Sequence, residues 1–169
     1  MLYNLTDIFS SEGKTESFTT VYEPQTVTIR SEKFPICECS ELSLTVTNRA
    51  KGDVLLQGEI SLVCEIPCGR CLKPVKVPLE LKLEEDLKES MIGTPEAEDE
   101  MSFVTGYELD TDALVENEIM INWPMKVLCH DDCKGICTVC GKDLNEGDCG
   151  CDTFVPDPRM AVIKDIFNA

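Results

Sequence analysis

Residues 53–87 read DVLLQGEISLVCEIPCGRCLKPVKVPLELKLEEDL. Two long apolar runs flank the short PCGRCLKP, which predicts two antiparallel strands joined as one long hairpin. Pro67 and Pro74 bracket the junction, so Cys68 and Cys71 fall at the hairpin tip, where they reach away from a sheet. Gly58, inside the first arm, predicts a bulge or a close backbone approach. Residues 66–82 carry Arg70, Lys73, Lys76 and Lys82 against Glu80 alone. Arg70, Lys73 and Lys76 are thus candidate contacts to RNA or another partner, against the plainer reading of a solvated hairpin face.

The tip thiols have company downstream. Six of the chain's eleven cysteines lie between Cys129 and Cys151, as Cys129-x3-Cys133, Cys137-x2-Cys140-Gly141 and Cys149-x-Cys151. Eight thiols in four pairs fit two tetrahedral four-cysteine zinc sites, because structural zinc takes four closed ligands and imposes no d-electron geometry. The local grouping is Cys137, Cys140, Cys149 and Cys151, with GKDLNEGD between the halves. The second set then joins Cys68 and Cys71 to Cys129 and Cys133. Closing that loop of about 58 residues costs roughly 3–4 kcal/mol, against about 10–16 kcal/mol from structural zinc. A cross-braced arrangement pairing 129/133 with 149/151 satisfies the same spacing. A glycine after the second Cys permits the positive φ that such a turn needs; Gly141 supplies it, whereas Leu72 follows Cys71, so that turn must close differently, through Gly69.

Competing chemistries fit less well. The opening MLYNLTDIFSSEG lacks the charged and apolar regions of a secretion signal, so a reducing cytosol is expected and disulfides are not. Redox catalysis wants Cys-x2-Cys at a helix N-terminus, not at a hairpin tip. Cys37, Cys39 and Cys64 have no ligand spacing and read as packing residues. His130 is the only histidine and reads as solvated, which removes most His-based catalytic templates. No GxxxxGK[ST] or GxGxxG offers a nucleotide a cradle, and four paired thiols leave no open catalytic position on zinc.

Around this frame the fold class expected is α+β: a mainly antiparallel β-sheet with a long hairpin, two helices and a C-terminal cysteine-rich zinc module. FTTVY, QTVTIR and LSLTVTNR read as strands broken by Pro24, Pro35 and Asn48, after a short strand or helix near Leu2 to Phe9. Residues 88–105, dense in like charge, read as a flexible acidic loop. Asp110 or Thr111 caps a helix over 111–122, with Leu114, Val115, Ile119, Ile121 and Trp123 on one arc and Glu118 inside it. An acid there is read as an edge or strand-paired group and not as a catalyst. Asp157-Pro158 opens a final helix packing Met160, Ile163 and Phe167 onto the core. The division expected is a β domain over 1–127 and a cysteine-rich module over 128–169.

Charge narrows the partners. The chain carries −17, of which 84–118 holds thirteen acids against Lys88 alone. Bulk attraction to nucleic acid is excluded by that balance, and basic protein partners fit better. No apolar run approaches membrane-spanning length. Lys126 to Cys151 holds three lysines against five acids, which argues against a DNA-binding zinc ribbon.

Several stretches together resemble one family: Cys68-Gly69-Arg70-Cys71-Leu72 after a strand, Trp123-Pro124-Met125-Lys126 after a helix, Leu128-Cys129, Asp132-Cys133-Lys134-Gly135-Ile136-Cys137, Cys140-Gly141, Leu144-Asn145, Cys149-x-Cys151 and Asp157-Pro158-Arg159. These are similar to the YceD family of large ribosomal RNA subunit accumulation proteins, in the cysteine-rich form of Gram-positive bacteria. Trp123 and the extra Cys37, Cys39 and Cys64 depart from its pattern. Other members keep little beyond the first thiol pair and one later His/Cys cluster, which favours grouping 68/71 with 129/133 and reading the remaining four as an added stabilising site. The resemblance implies a cytoplasmic, non-enzymatic factor needed for large-subunit ribosomal RNA to accumulate. With the residues, it gives the expectation of a zinc-stabilised assembly factor holding one or two Zn2+, partnered by a large-subunit ribosomal protein, precursor rRNA or both, with no membrane and no nucleotide cofactor. The alternative is a cytosolic thiol oxidoreductase or zinc reservoir.

Overall fold

A computed structural model describes residues 1–92 and 102–152. In chain order the elements are β1 (Leu2–Asn4), α1 (Thr6–Ser10), β2 (Thr15–Val21), β3 (Thr26–Ile29), β4 (Glu32–Cys39), β5 (Glu41–Ala50), β6 (Asp53–Pro67), β7 (Pro74–Lys88), β8 (Val104–Thr105), β9 (Glu108–Asp110) and α2 (Thr111–Ile121). The expected α+β class holds. The C-terminal helix expected from Asp157 lies outside the described residues.

The hairpin of 53–87 is β6 and β7, and β6 is the spine of a six-stranded sheet. β5 pairs with its first half (Leu44↔Gly58, Val46↔Leu56) and β4 with its second (Ile36↔Cys64, Cys39↔Leu62). Ser40 N–H donates to Ser61 O where the two ladders meet. β2 extends the sheet from β5 and β3 from β4, all antiparallel. A smaller sheet runs β1-β9-β8. Period-two alternation explains the burial: Leu42, Leu44 and Val46 on β5, Val54, Leu56, Ile60, Leu62, Cys64 and Ile66 on β6, and Leu79, Leu81 and Leu83 on β7 are buried. The residues between them are exposed or half-buried, so the sheet is apolar on one face. α1 packs on β5, and the buried Asn48 donates through Nδ2 to Ile8 O (2.7 Å) and Phe9 O (3.3 Å) at its end.

Three sequence expectations change, and of the two readings of Gly58 one holds. Asn48 lies inside β5 because its side chain satisfies the carbonyls of α1. Pro35 lies inside β4, which pairs with β6 only from Ile36 onward and shifts register just beyond, so the missing N–H interrupts no ladder with β6. Gly58 sits in unbroken register opposite Leu44, and a Cβ there would stand 2.6 Å from both Leu44 Cδ2 and Ser43 O. Close approach, not a bulge, is its reason. The acidic segment 88–105 is not all loop: Lys88 ends β7, Glu89–Met91 forms a 3-10 turn, and Phe103 and Val104 bury at the start of β8. Of the expected loop, 93–101 lies outside the described residues.

Asp110 caps α2, its Oδ1 accepting from Asp112 N (3.0 Å) and Ala113 N (3.4 Å). Leu114, Val115 and Ile119 are buried as expected, and Glu118 is 7% exposed, accepting from Asn122 Nδ2 at 3.0 Å. Its partner is thus its own helix's last turn, not a strand. Ile121 is exposed and Trp123 lies beyond the helix, where its ring meets Phe34 at 4.9 Å, so neither extends the buried arc. Of the three cysteines read as packing, only Cys64 is buried; Cys37 and Cys39 are exposed, since β4 buries no side chain past its register shift.

The chain divides into two compact units. A sheet unit comprises Met1–Ile66 and Val75–Met125. A cysteine unit comprises Pro67–Pro74 and, of the described residues, 126–152. The hairpin tip, expected within a 1–127 domain, therefore counts with the cysteine-rich segment of 128–169. No helix among the described residues is long and apolar enough to cross a membrane.

Candidate metal centres

Both Cys-x2-Cys segments fold into the same turn. In the first, Cys68 N–H donates to Lys73 O (2.8 Å) and Leu72 N–H to Cys68 O (3.0 Å); in the second, Cys137 N–H donates to Lys142 O (2.8 Å) and Gly141 N–H to Cys137 O (2.8 Å). The position after the second cysteine needs a left-handed backbone. Gly141 adopts it at φ +75°, and Leu72 adopts it at φ +62°. The expectation that Gly69 would relieve Leu72 is thus corrected: the leucine itself takes the strained conformation, with its side chain exposed.

These turns aim their sulfurs at two points. Sγ atoms of Cys68, Cys71, Cys129 and Cys133 lie within 4.8 Å of one another, and so do those of Cys137, Cys140, Cys149 and Cys151. The structure brings together the two sets of the first grouping, not the cross-braced alternative. Among the described residues all eleven cysteines are free thiols. A tetrahedron with zinc–sulfur bonds of about 2.3 Å has sulfur–sulfur edges of about 3.8 Å. Cys68 and Cys133 are 3.8 Å apart, Cys71 and Cys129 3.5 Å. Both sets are suited to a metal ion by donor type and geometry.

Electrostatics points the same way. The Cys71 N–H lowers the Cys68 thiol, helped by the Arg70 N–H and against burial, to about 6. The Cys140 and Val139 N–H groups, with Cys149, bring Cys137 to about 6. Their set-mates go the other way: burial and the neighbouring sulfurs push Cys129 up to about 12, and Cys140 and Cys149 with burial push Cys151 up to about 12. Four thiolates this close repel each other, and a dication relieves that repulsion. For Cys133, burial raises the pKa but the Asn145 amide and the Gly135 N–H outweigh it, leaving the thiol lowered.

The remaining candidates are placed by the same unit. Arg70 donates from its guanidinium to Cys133 O at 2.6 Å. Lys73 pairs with Asp143 at 2.7 Å and with Glu146 at 3.7 Å, holding the Asp143 carboxyl below its usual range. Two of the three cations expected to face RNA are therefore engaged internally, because a backbone carbonyl and two carboxylates lie within their reach. Lys76 is exposed on β7. His130 is exposed as expected, its Nδ1 3.1 Å from Cys129 Sγ. Sequence reasoning assigned no role to Asn145, Asp143 or Gly135. Their signal was the polar D-x-N of the loop between Cys140 and Cys149 and a glycine between paired cysteines.

A half-buried antiparallel sheet and two four-thiol sets on paired turns define a small α+β protein of metal-suited, cysteine-rich type. The chain belongs to the family described as large ribosomal RNA subunit accumulation protein YceD, whose profile matches residues 56–167. It is similar to uncharacterized proteins of Mycobacterium bovis and of two Mycobacterium tuberculosis strains, each 29% identical over 106 residues. Those matches cover 62% of this chain and 51% of each relative, so the chain spans about half the length of the curated relatives it matches. No solved structure matches it.

Proposed function

We propose that this protein is a non-enzymatic, zinc-stabilised cytoplasmic factor that supports large-subunit ribosomal RNA accumulation by engaging a basic large-subunit ribosomal protein, with precursor rRNA as a lesser contact. Membership of the family carries the reading. Zinc is the metal that four converging thiolates and a closed tetrahedral shape favour. Charge selects the partner: the sheet unit holds 24 of the 32 acidic and 8 of the 15 basic residues. Such a surface attracts a basic protein and repels phosphate. Direct RNA contact rests mainly on Lys76, with Arg70 and Lys73 occupied. Affinity capture at low and moderate salt should recover a basic large-subunit protein with precursor rRNA, and loss of the protein should lower the large-to-small rRNA ratio. An unchanged ratio with neither molecule captured would refute the proposal.

The second reading is a thiol oxidoreductase or zinc reservoir. The thiols of Cys68 and Cys137, held near 6, favour it. It requires those thiols to react with alkylating reagents while metal is bound, whereas the structural reading requires chelation first.

A further inference from the structure

We infer that the two four-thiol sets load metal as one cooperative unit, with Asn145, borne on the loop of one set, as the positioning residue for a ligand of the other. This rests on the zinc-stabilised reading above.

Asn145 lies in the 141–148 loop that joins the two halves of the Cys137/Cys140/Cys149/Cys151 set. Its side chain serves the other set: Nδ2 donates to Cys133 Sγ at 3.5 Å, and Oδ1 accepts from Lys134 N at 2.7 Å, beside that ligand. Asp143 fixes the amide, its Oδ1 accepting from Asn145 N (2.8 Å) and from Nδ2 (2.7 Å). The other oxygen of Asp143 meets Lys73, two residues beyond Cys71, at 2.7 Å. Ile136, next to Cys137, bridges to Asp143 and donates through its N–H to Arg70 O, between Cys68 and Cys71. Three separate links thus tie the loop of one set to both halves of the other.

The loop is polar, carries Gly141 and Gly147 at positive φ, and has a thiol pair at each end. A metal clamping those pairs fixes the loop, and with it Asn145 and Asp143. Without that clamp the donor to Cys133 is no longer held in place. Partners in the shell behind a ligand typically change metal affinity by about 10- to 100-fold, and such coupling acts equally in both directions. Metal content should therefore change steeply, both ions held or both lost across a narrow range of free zinc.

The test uses the full chain loaded with zinc, titrated with a competing chromogenic chelator, with elemental analysis and cadmium NMR of the exchanged protein. The wild type should release two ions in one steep step. Asn145→Ala should split that step, one ion leaving at about 10-fold less chelator or lower still. Asn145→Asp keeps the shape and the acceptor for Lys134 N but places a carboxylate beside Cys133; it should weaken the same site at least as much and move one cadmium resonance more than the other. Cys140→Ser with Cys149→Ser should leave one ion, bound about 10- to 100-fold more weakly than in the wild type. Two ions leaving the wild type independently, or that remaining ion keeping its affinity, would overturn the coupling while sparing the zinc reading. A wild type binding no thiophilic metal would overturn both.

Discussion

Replacing Gly135 with alanine tests the metal geometry most directly. Gly135 adopts φ +82°, and a Cβ there would stand 2.9 Å from Arg70 O and 3.3 Å from Arg70 Cβ. The left-handed backbone costs an alanine about 1 kcal/mol. The contact adds about 1–3 kcal/mol of overpacking, because Arg70 O is backbone between two cysteines of one set and accepts from Ile136 N at 3.2 Å, leaving it little room to retreat. If folding of the module and metal binding are one event, as the zinc-stabilised reading requires, about 2–4 kcal/mol becomes roughly 30- to 1,000-fold weaker binding. Gly141 is the internal control: its φ is +75° and nothing lies within 4 Å of an added Cβ, so Gly141→Ala should lose only about fivefold. Equilibrium competition against a chelator reads both variants. Equal losses would show that the contact between Gly135 and the Arg70 carbonyl carries no weight, and the reasoning would fail.

Four further outcomes are expected. Gly58→Ala, whose Cβ would press on Leu44 Cδ2 and Ser43 O, should cost about 3 kcal/mol in chemical denaturation while leaving metal content unchanged; a midpoint that does not move would contradict the β5–β6 register. Asn48→Ala strips the donor from Ile8 O and Phe9 O and should cost about 2–3 kcal/mol by the same assay. Thiol titration of metal-loaded protein should count two fast cysteines, Cys37 and Cys39, with Cys64, buried and pushed up to about 11, reacting only on unfolding; ten fast thiols would support the oxidoreductase reading. For pH, thiols lowered to about 6 (Cys68, Cys137) are already ionised at pH 7, whereas those raised to about 12 (Cys129, Cys151) are protonated without metal. Metal uptake at pH 7 should then release at least one proton per set, and affinity should rise with pH by about tenfold per unit per proton. Calorimetry in buffers of differing ionisation heat measures this, and uptake without proton release would refute it.

What the sequence disclosed depended on how local the signal was. Whereas the joining of 68/71 to 129/133 was favoured by the family resemblance and not by spacing, the hairpin of β6 and β7 and the four thiol pairs were legible, because strand alternation and pair spacing each operate over a few residues. The cap at Asp110 was legible for the same reason. Pro35 and Asn48 misled because each is a strand breaker in isolation: Pro35 lies just before the pairing with β6, which begins at Ile36, and Asn48 is accommodated by Ile8 O, 40 residues away. β8 is two residues long, too short for any periodicity to register. Leu72 at positive φ defied residue preference because it closes the turn that brings Cys68 and Cys71 to one point. Arg70 and Lys73 looked outward because charge counts along a hairpin cannot see a carboxylate or carbonyl supplied from 60 or more residues downstream.

The division of the chain has a consequence for how the protein can be shortened or recombined. The backbone passes between the two units three times, after Ile66, after Pro74 and after Met125, so no single cut separates them. A protein ending at Met125 would keep Cys68 and Cys71 as a stranded half-site, and a piece beginning at Lys126 would hold one complete quartet and an orphaned pair. Neither half can be inherited, lost or grafted as an independent cassette without breaking a quartet.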